Sequence, residues 1–69
     1  MASRYVAVIL DENGLDQGPV DISGAQDEGQ ARDLASRAGM KWLVENGFSR
    51  AKVQIVRDGI GLPIVEVRT

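Results

Sequence analysis

A single stretch of helical periodicity, Asp27 to Asn46, stands between two pairs of strand-like segments, and this limits the fold more than any other feature. One helix shields one face of a small sheet. The opposite face must then be polar or must meet something else.

At about 100° per residue, Ala31, Leu34, Ala35, Ala38 and Trp42 fall on one stripe, the side expected to lie on the sheet. An alanine-rich stripe lets the helix axis come close to the strands, with Leu34 and Trp42 filling the two ends. Asp27 is placed to cap the helix and Gln30 to reach back in a capping box, with Ser23 and Gln26 as a competing start. Glu28 suits the positive end of the helix dipole. Asn46-Gly47 supplies the left-handed residue that closes a helix, and Phe48 follows to pack back on the last turn.

Arg4 to Asp11 is rich in β-branched residues and reads as the first strand, at about 4–11. Asn13-Gly14 is a turn signal, and a second strand is expected at about 19–23, through Val20 and Ile22. Pro19 lacks an amide donor and so belongs at a sheet edge. Residues 50–57 alternate, with Ala51, Val53 and Ile55 inward and Lys52, Gln54 and Arg57 toward water. After the turn Asp58-Gly59-Ile60-Gly61, a fourth strand is expected over 62–68. The expected fold is α+β: one ββαββ domain over 1–69, with a four-stranded, mostly antiparallel sheet and one helix on one face. Two strand orders stay open, one with the first and fourth strands central and one with the first and third adjacent.

A chain of 69 residues removes only about 60% of its unfolded surface from water on folding, so its core is thin. It has no cysteine and no histidine, which removes disulfides, the two commonest zinc ligands and the usual general base near neutral pH. The apolar run Tyr5 to Leu10 is far shorter than a membrane span, and a cytoplasmic protein without membrane contact is expected. Eight Lys/Arg face ten Asp/Glu, unevenly distributed. Through Gln30 there are one base and six acids; from Ala31 onward there are seven bases and four acids.

The first strand is apolar on both sides: Tyr5, Ala7 and Ile9 point one way, Val6, Val8 and Leu10 the other. The fourth strand is similar in its first half, and Val56 breaks the polar side of the third. Such a surplus has two readings: scattered exposed valines, or valines covered by loop residues such as Leu15 and Ile60, on the one hand, and on the other a partner, or a second copy, meeting the uncovered sheet face or an edge. Met40 and Val44, opposite the alanine stripe and flanked by Arg37, Lys41 and Asp33, offer another surface. The residues expected at a protein interface are Tyr5, Arg37, Met40, Lys41, Val44, Val56, Val65 and Val67.

Other chemistry finds little support. The acidic turn Asp11 to Asp16 fails the calcium-loop pattern, with Leu15 at a ligand place, Asp16 at the glycine place and Ile22 at the twelfth position. Gly14, Gly18, Gly24 and Gly29 match no nucleotide-binding fingerprint. Ser23, Ser36 and Ser49 lack a basic partner of suitable type, so no catalytic, metal or cofactor residue is assigned. There are two alternatives: nucleic-acid binding through Arg32, Arg37, Lys41, Arg50 and Lys52, set against a negative overall charge and few exposed aromatics, and a structural subunit of a homo-oligomer, which differs from a protein-binding domain only in who the partner is.

The pattern of Tyr5-Val-Ala-Val-Ile-Leu10, a helix with Ala31-x-x-Leu34-Ala35-x-x-Ala38, and Val53-x-Ile-Val-Arg-Asp-Gly59 resembles small ββαββ proteins of bacterial and phage origin, some of them anti-CRISPR proteins. The resemblance spans nearly the whole chain and rests on the spacing of elements, so it brings no site residue with it. It implies a non-enzymatic inhibitor of phage or mobile-element origin that occludes a surface on a larger machine. A protein-binding domain, expected to be a homodimer, is the function these readings converge on.

Overall fold

Strand β1 (Tyr5–Leu10) lies inside the sheet, as its two-sided apolar character requires, between β2 (Asp16–Val20) and β3 (Arg50–Arg57). Both pairings are antiparallel. The computed structural model describes residues 4–69; residues 1–3 of the expected domain lie outside the described residues. On the far side of β3 the chain returns in two pieces, β4 (Ile60–Gly61) and β5 (Val65–Arg68), so the order across the sheet is β2, β1, β3, then β4 and β5 together. The architecture is α+β, with one helix and an antiparallel sheet. Of the two strand orders, the one with the first and third strands adjacent is present, and the fourth is an edge.

The second strand begins earlier than 19–23 because the hairpin loop is short. Asp11 organises it: its Oδ1 accepts the amides of Asn13 and Leu15, each at 2.9 Å, and its Oδ2 accepts the Gln17 side chain at 3.0 Å. Leu10 pairs with Asp16 and Ile9 with Gly18, which leaves Gln17 as an extra residue in a bulge. Gly18 has φ 110, a conformation open mainly to glycine. Pro19 sits on the edge strand, where its missing donor costs no ladder bond. Ile22 is buried, but in the connection to the helix and not in the strand.

Helix α1 (Glu28–Asn46) starts at the Asp27 cap, whose Oδ1 accepts the Gln30 amide at 2.8 Å. The Gln30 side chain reaches back one residue further than a capping box, to the amide of Gln26 at 2.8 Å. Asp27→Ala should therefore cost about 1 kcal/mol, read as a lowered urea midpoint by circular dichroism, whereas Asp27→Ser, which keeps an oxygen to accept the Gln30 amide, should stay close to the unsubstituted protein. An unchanged midpoint in Asp27→Ala would show that the cap contributes nothing. At the other end Gly47 adopts φ 71, and its amide and that of Phe48 both donate to the Leu43 carbonyl. Phe48 stacks on Trp42 with ring centroids 5.0 Å apart and planes 3° from parallel.

The face that α1 lays on the sheet is Ala31, Ala35, Gly39 and Leu43, one residue per turn. Ala31 and Ala35 belong to the expected stripe, but its centre is turned toward Gly39 and Leu43, leaving Leu34, Ala38 and Trp42 half-buried on one flank. Gly39 marks the closest approach: a Cβ there would stand 3.0 Å from methyl carbons of both Val53 and Val67. Beneath the helix, Tyr5, Ala7, Ile9, Ala51, Val53, Ile55, Val65 and Val67 form the core.

Candidate functional site

The pairing register places the side chains of the sheet's second face in rows. Asp16, Leu10, Lys52 and Glu66 stand side by side across the four strands, then Pro19, Val8 and Gln54, then Val6, Val56 and Gly61. Val6 is 43% exposed and Val8, Leu10, Val56 and Gln54 are half-buried, on the face opposite the one that the helix covers. The middle of this face is therefore a valine-rich strip, and the end near the β1–β2 loop carries charge.

Among the residues expected at an interface, Val56 lies on this strip, directly opposite Val6. Tyr5, Val65 and Val67 do not; they face the helix, with exposures of 8%, 9% and 4%, and cannot meet a partner without unfolding the core. The reason for the two valines lies in the edge strand. Gly61 stands opposite Val56 and Val65 opposite Val53, so the outer strand uses one residue more than β3 over that span. Counted from Gly61 without interruption, Val65 and Val67 point outward; the extra residue turns both inward. Gln54 plugs the irregularity, donating its side-chain amide to the carbonyls of Leu62 at 2.8 Å and Ile55 at 3.0 Å.

The helix surface is also different from the expected one. Met40 packs against the core, leaving Val44, 71% exposed, as an isolated apolar residue. Arg37 is paired with Asp33 at 3.1 Å and Lys41 with Glu45 at 3.9 Å, both on the solvated side. These four charges form ordinary helix-surface pairs worth a few tenths of a kcal/mol each.

The five bases considered for nucleic acid are not brought together. Arg37 and Lys41 project from the helix on one side of the sheet, whereas Lys52 shares the outer face with Leu10 and Glu66, and Arg50 has the same orientation by alternation. Arg32 lies near the start of the helix, exposed. Sequence order suggested a continuous patch, but the sheet stands between its halves.

The residues that sequence reasoning did not assign to a site are Val6, Val8 and Leu10. Their alternation with Tyr5, Ala7 and Ile9 was visible, but both sets are apolar and neither marks itself as inward. Lys52 and Gln54 on β3 carried the missing signal, since residues sharing their face must be the outer ones once the pairing of β1 with β3 is known.

Asp21, in the connection after β2, has its pKa held below the usual 3.8 by the Ser23 hydroxyl and then by the Ser23 amide, which donates at 2.9 Å. This is a capped turn. Among the described residues, no three Asp or Glu side chains converge to hold a metal ion, and no helix is long and apolar enough to cross a membrane. Comparisons with protein-family models, with curated proteins and with solved structures give no match.

Proposed function

We propose that this chain is a non-catalytic protein-binding domain that docks through the uncovered face of its sheet. The observation that carries this reading is the cross-strand pair Val6 and Val56, flanked by Val8 and Leu10, on the sheet face opposite the helix, with Val6 43% exposed. Apolar surface of this kind, set in a polar rim of Asp16, Lys52 and Glu66, has the composition of a recognition surface.

Size narrows the kind of complex. Four strands about 4.8 Å apart, with five or six residues of about 3.3 Å each, frame a patch of about 350 Å². A standard stable interface takes about 800 Å² from each partner. A second copy stacked face to face through this patch alone would associate weakly. A protein partner that covers the face and reaches past it to an edge strand gains the remaining area, and such a partner would have its own surface occluded.

Photo-crosslinking in the native host tests this reading. Benzoylphenylalanine at position 6 should give a discrete adduct with another protein, and the same group at position 37 on the solvated side of the helix should not. Val56→Lys should remove the adduct while leaving the melting temperature within a few degrees, because Val56 is outside the core. Absence of an adduct at position 6, or equal adducts at both positions, would refute the reading.

A further inference from the structure

The charged end of the outer face contains an arrangement that protein docking does not explain. Arg50 of β3 and Arg68 of β5 are directly opposed across the strands. Like charges in that relation repel at Cβ separations of about 5 Å and destabilise the pairing. The neighbouring pair, Lys52 opposite Glu66, is balanced. Among the described residues, Arg37, Lys41 and Arg57 each have a carboxylate within 4.0 Å, and Arg50, Lys52 and Arg68 have none.

The three bases border an open depression of about 290 Å³, together with Glu12, Ala51, Glu66 and Val67. Three cationic groups against two carboxylates leave it net positive. Its backbone is held at the outer end, where the Thr69 amide donates to the Ser49 carbonyl at 3.1 Å. Two adjacent guanidinium forks on a tied-down pair of strands match the oxygens of a compact oxyanion.

We propose that Arg50 and Arg68, with Lys52 beside them, bind a small dianionic phosphate group. A dianionic phosphate presents charged oxygens to both guanidinium groups at once and offsets the repulsion between them, while Lys52 already stands opposite Glu66. The proposal does not depend on what covers the valine strip.

The test is an NMR titration of the full ¹⁵N-labelled chain with inorganic phosphate above neutral pH, ionic strength being matched with chloride. Arg50 and Arg68 side-chain Nε resonances should shift and saturate. Arg50→Gln or Arg68→Gln should each weaken binding by roughly tenfold or more, the usual effect of losing a charge-assisted contact. Arg37→Gln should leave it unchanged. Phosphoserine in a second arm distinguishes sources: tighter binding than inorganic phosphate identifies a monoester as the ligand, and equal binding identifies the free ion, each in accord with the proposal. Shifts that chloride reproduces, or that survive in both arginine variants, would overturn it. So would binding of an oligonucleotide with no response to phosphate, because a diester carries one charge per group.

Discussion

Leu43→Ala should remove a large part of the stability of this protein, with a loss of about 2–5 kcal/mol. Leu43 is fully buried, and it is the largest side chain among the helix residues that are buried. The other three residues of that face, Ala31, Ala35 and Gly39, have little or no side chain to contribute. At about 0.05–0.15 kcal/mol per residue, a chain of this length has roughly 3–10 kcal/mol in total, so the loss is comparable to the whole. The cavity also has little means of closing. Leu43 lies in the last turn of the helix, fixed from behind by the amides of Gly47 and Phe48 on its carbonyl and by the Phe48–Trp42 stack. Thermal melting followed by circular dichroism should show a drop of 10 °C or more, at about 4–8 °C per kcal/mol for a domain of this size. Val44→Ala, one position on and solvated, should change it by no more than about 2 °C. A comparable shift for both variants would show that burial at position 43 is not what secures the helix.

Gly39→Leu should abolish cooperative folding, and Gly39→Ala should show why. A Cβ at this position meets methyl carbons of Val53 and Val67 at 3.0 Å, closer than such atoms normally approach, and a leucine side chain has no volume to occupy. Alanine raises helix propensity by about 1 kcal/mol relative to glycine. That gain is opposed by overpacking, which in well-packed cores costs about 1–3 kcal/mol. Both valines are β-branched and stiff at χ1, and Val53 belongs to a central strand, so they yield little. The expected net effect of Gly39→Ala is a destabilisation of about 1 kcal/mol. In a Val67→Ala background two of the three closest carbons are gone. The alanine at position 39 should then be neutral or stabilising, a favourable coupling of about 1 kcal/mol in a double-mutant cycle of urea midpoints. Additive losses would show that the helix rides further from the sheet than the geometry implies.

These two residues also show where reading from sequence stopped. The helix ends were legible because they depend on local chemistry: Asp27 accepts the amide of Gln30, and Gly47 takes the left-handed conformation that Asn46-Gly47 signals. The packing of Phe48 against the last turn was legible for the same reason. The inward face was not, because Trp42, Leu43 and Val44 are consecutive and Met40 precedes them, so apolar residues point in most directions at that end. Glycine adds no apolar signal at position 39, although its lack of a side chain lets the helix touch the sheet.

The candidate site divides in the same way. A surplus of apolar residues on the far face was readable from the double-sided first strand, and it is present as Val6, Val8, Leu10 and Val56. The assignment of Val65 and Val67 to that face failed on a single unpaired residue around Pro63. Alternation along a strand has period two, so one inserted residue exchanges the two faces for everything beyond it. The opposed Arg50 and Arg68 are 18 positions apart in the chain, and nothing in their local sequence pairs them.

The amino-acid sequence by itself determined the class of the fold, the order of its elements, the ends of its helix and the excess of apolar side chains over what one helix shields. Each of these follows from interactions within a turn or two of chain, or from counting. The tertiary structure alone decided which edge the last strand occupies, which valines it turns inward, how close the helix lies and which charges become neighbours. Those outcomes depend on cross-strand register and on the space between layers, and both are set only when distant segments compete for the same contacts.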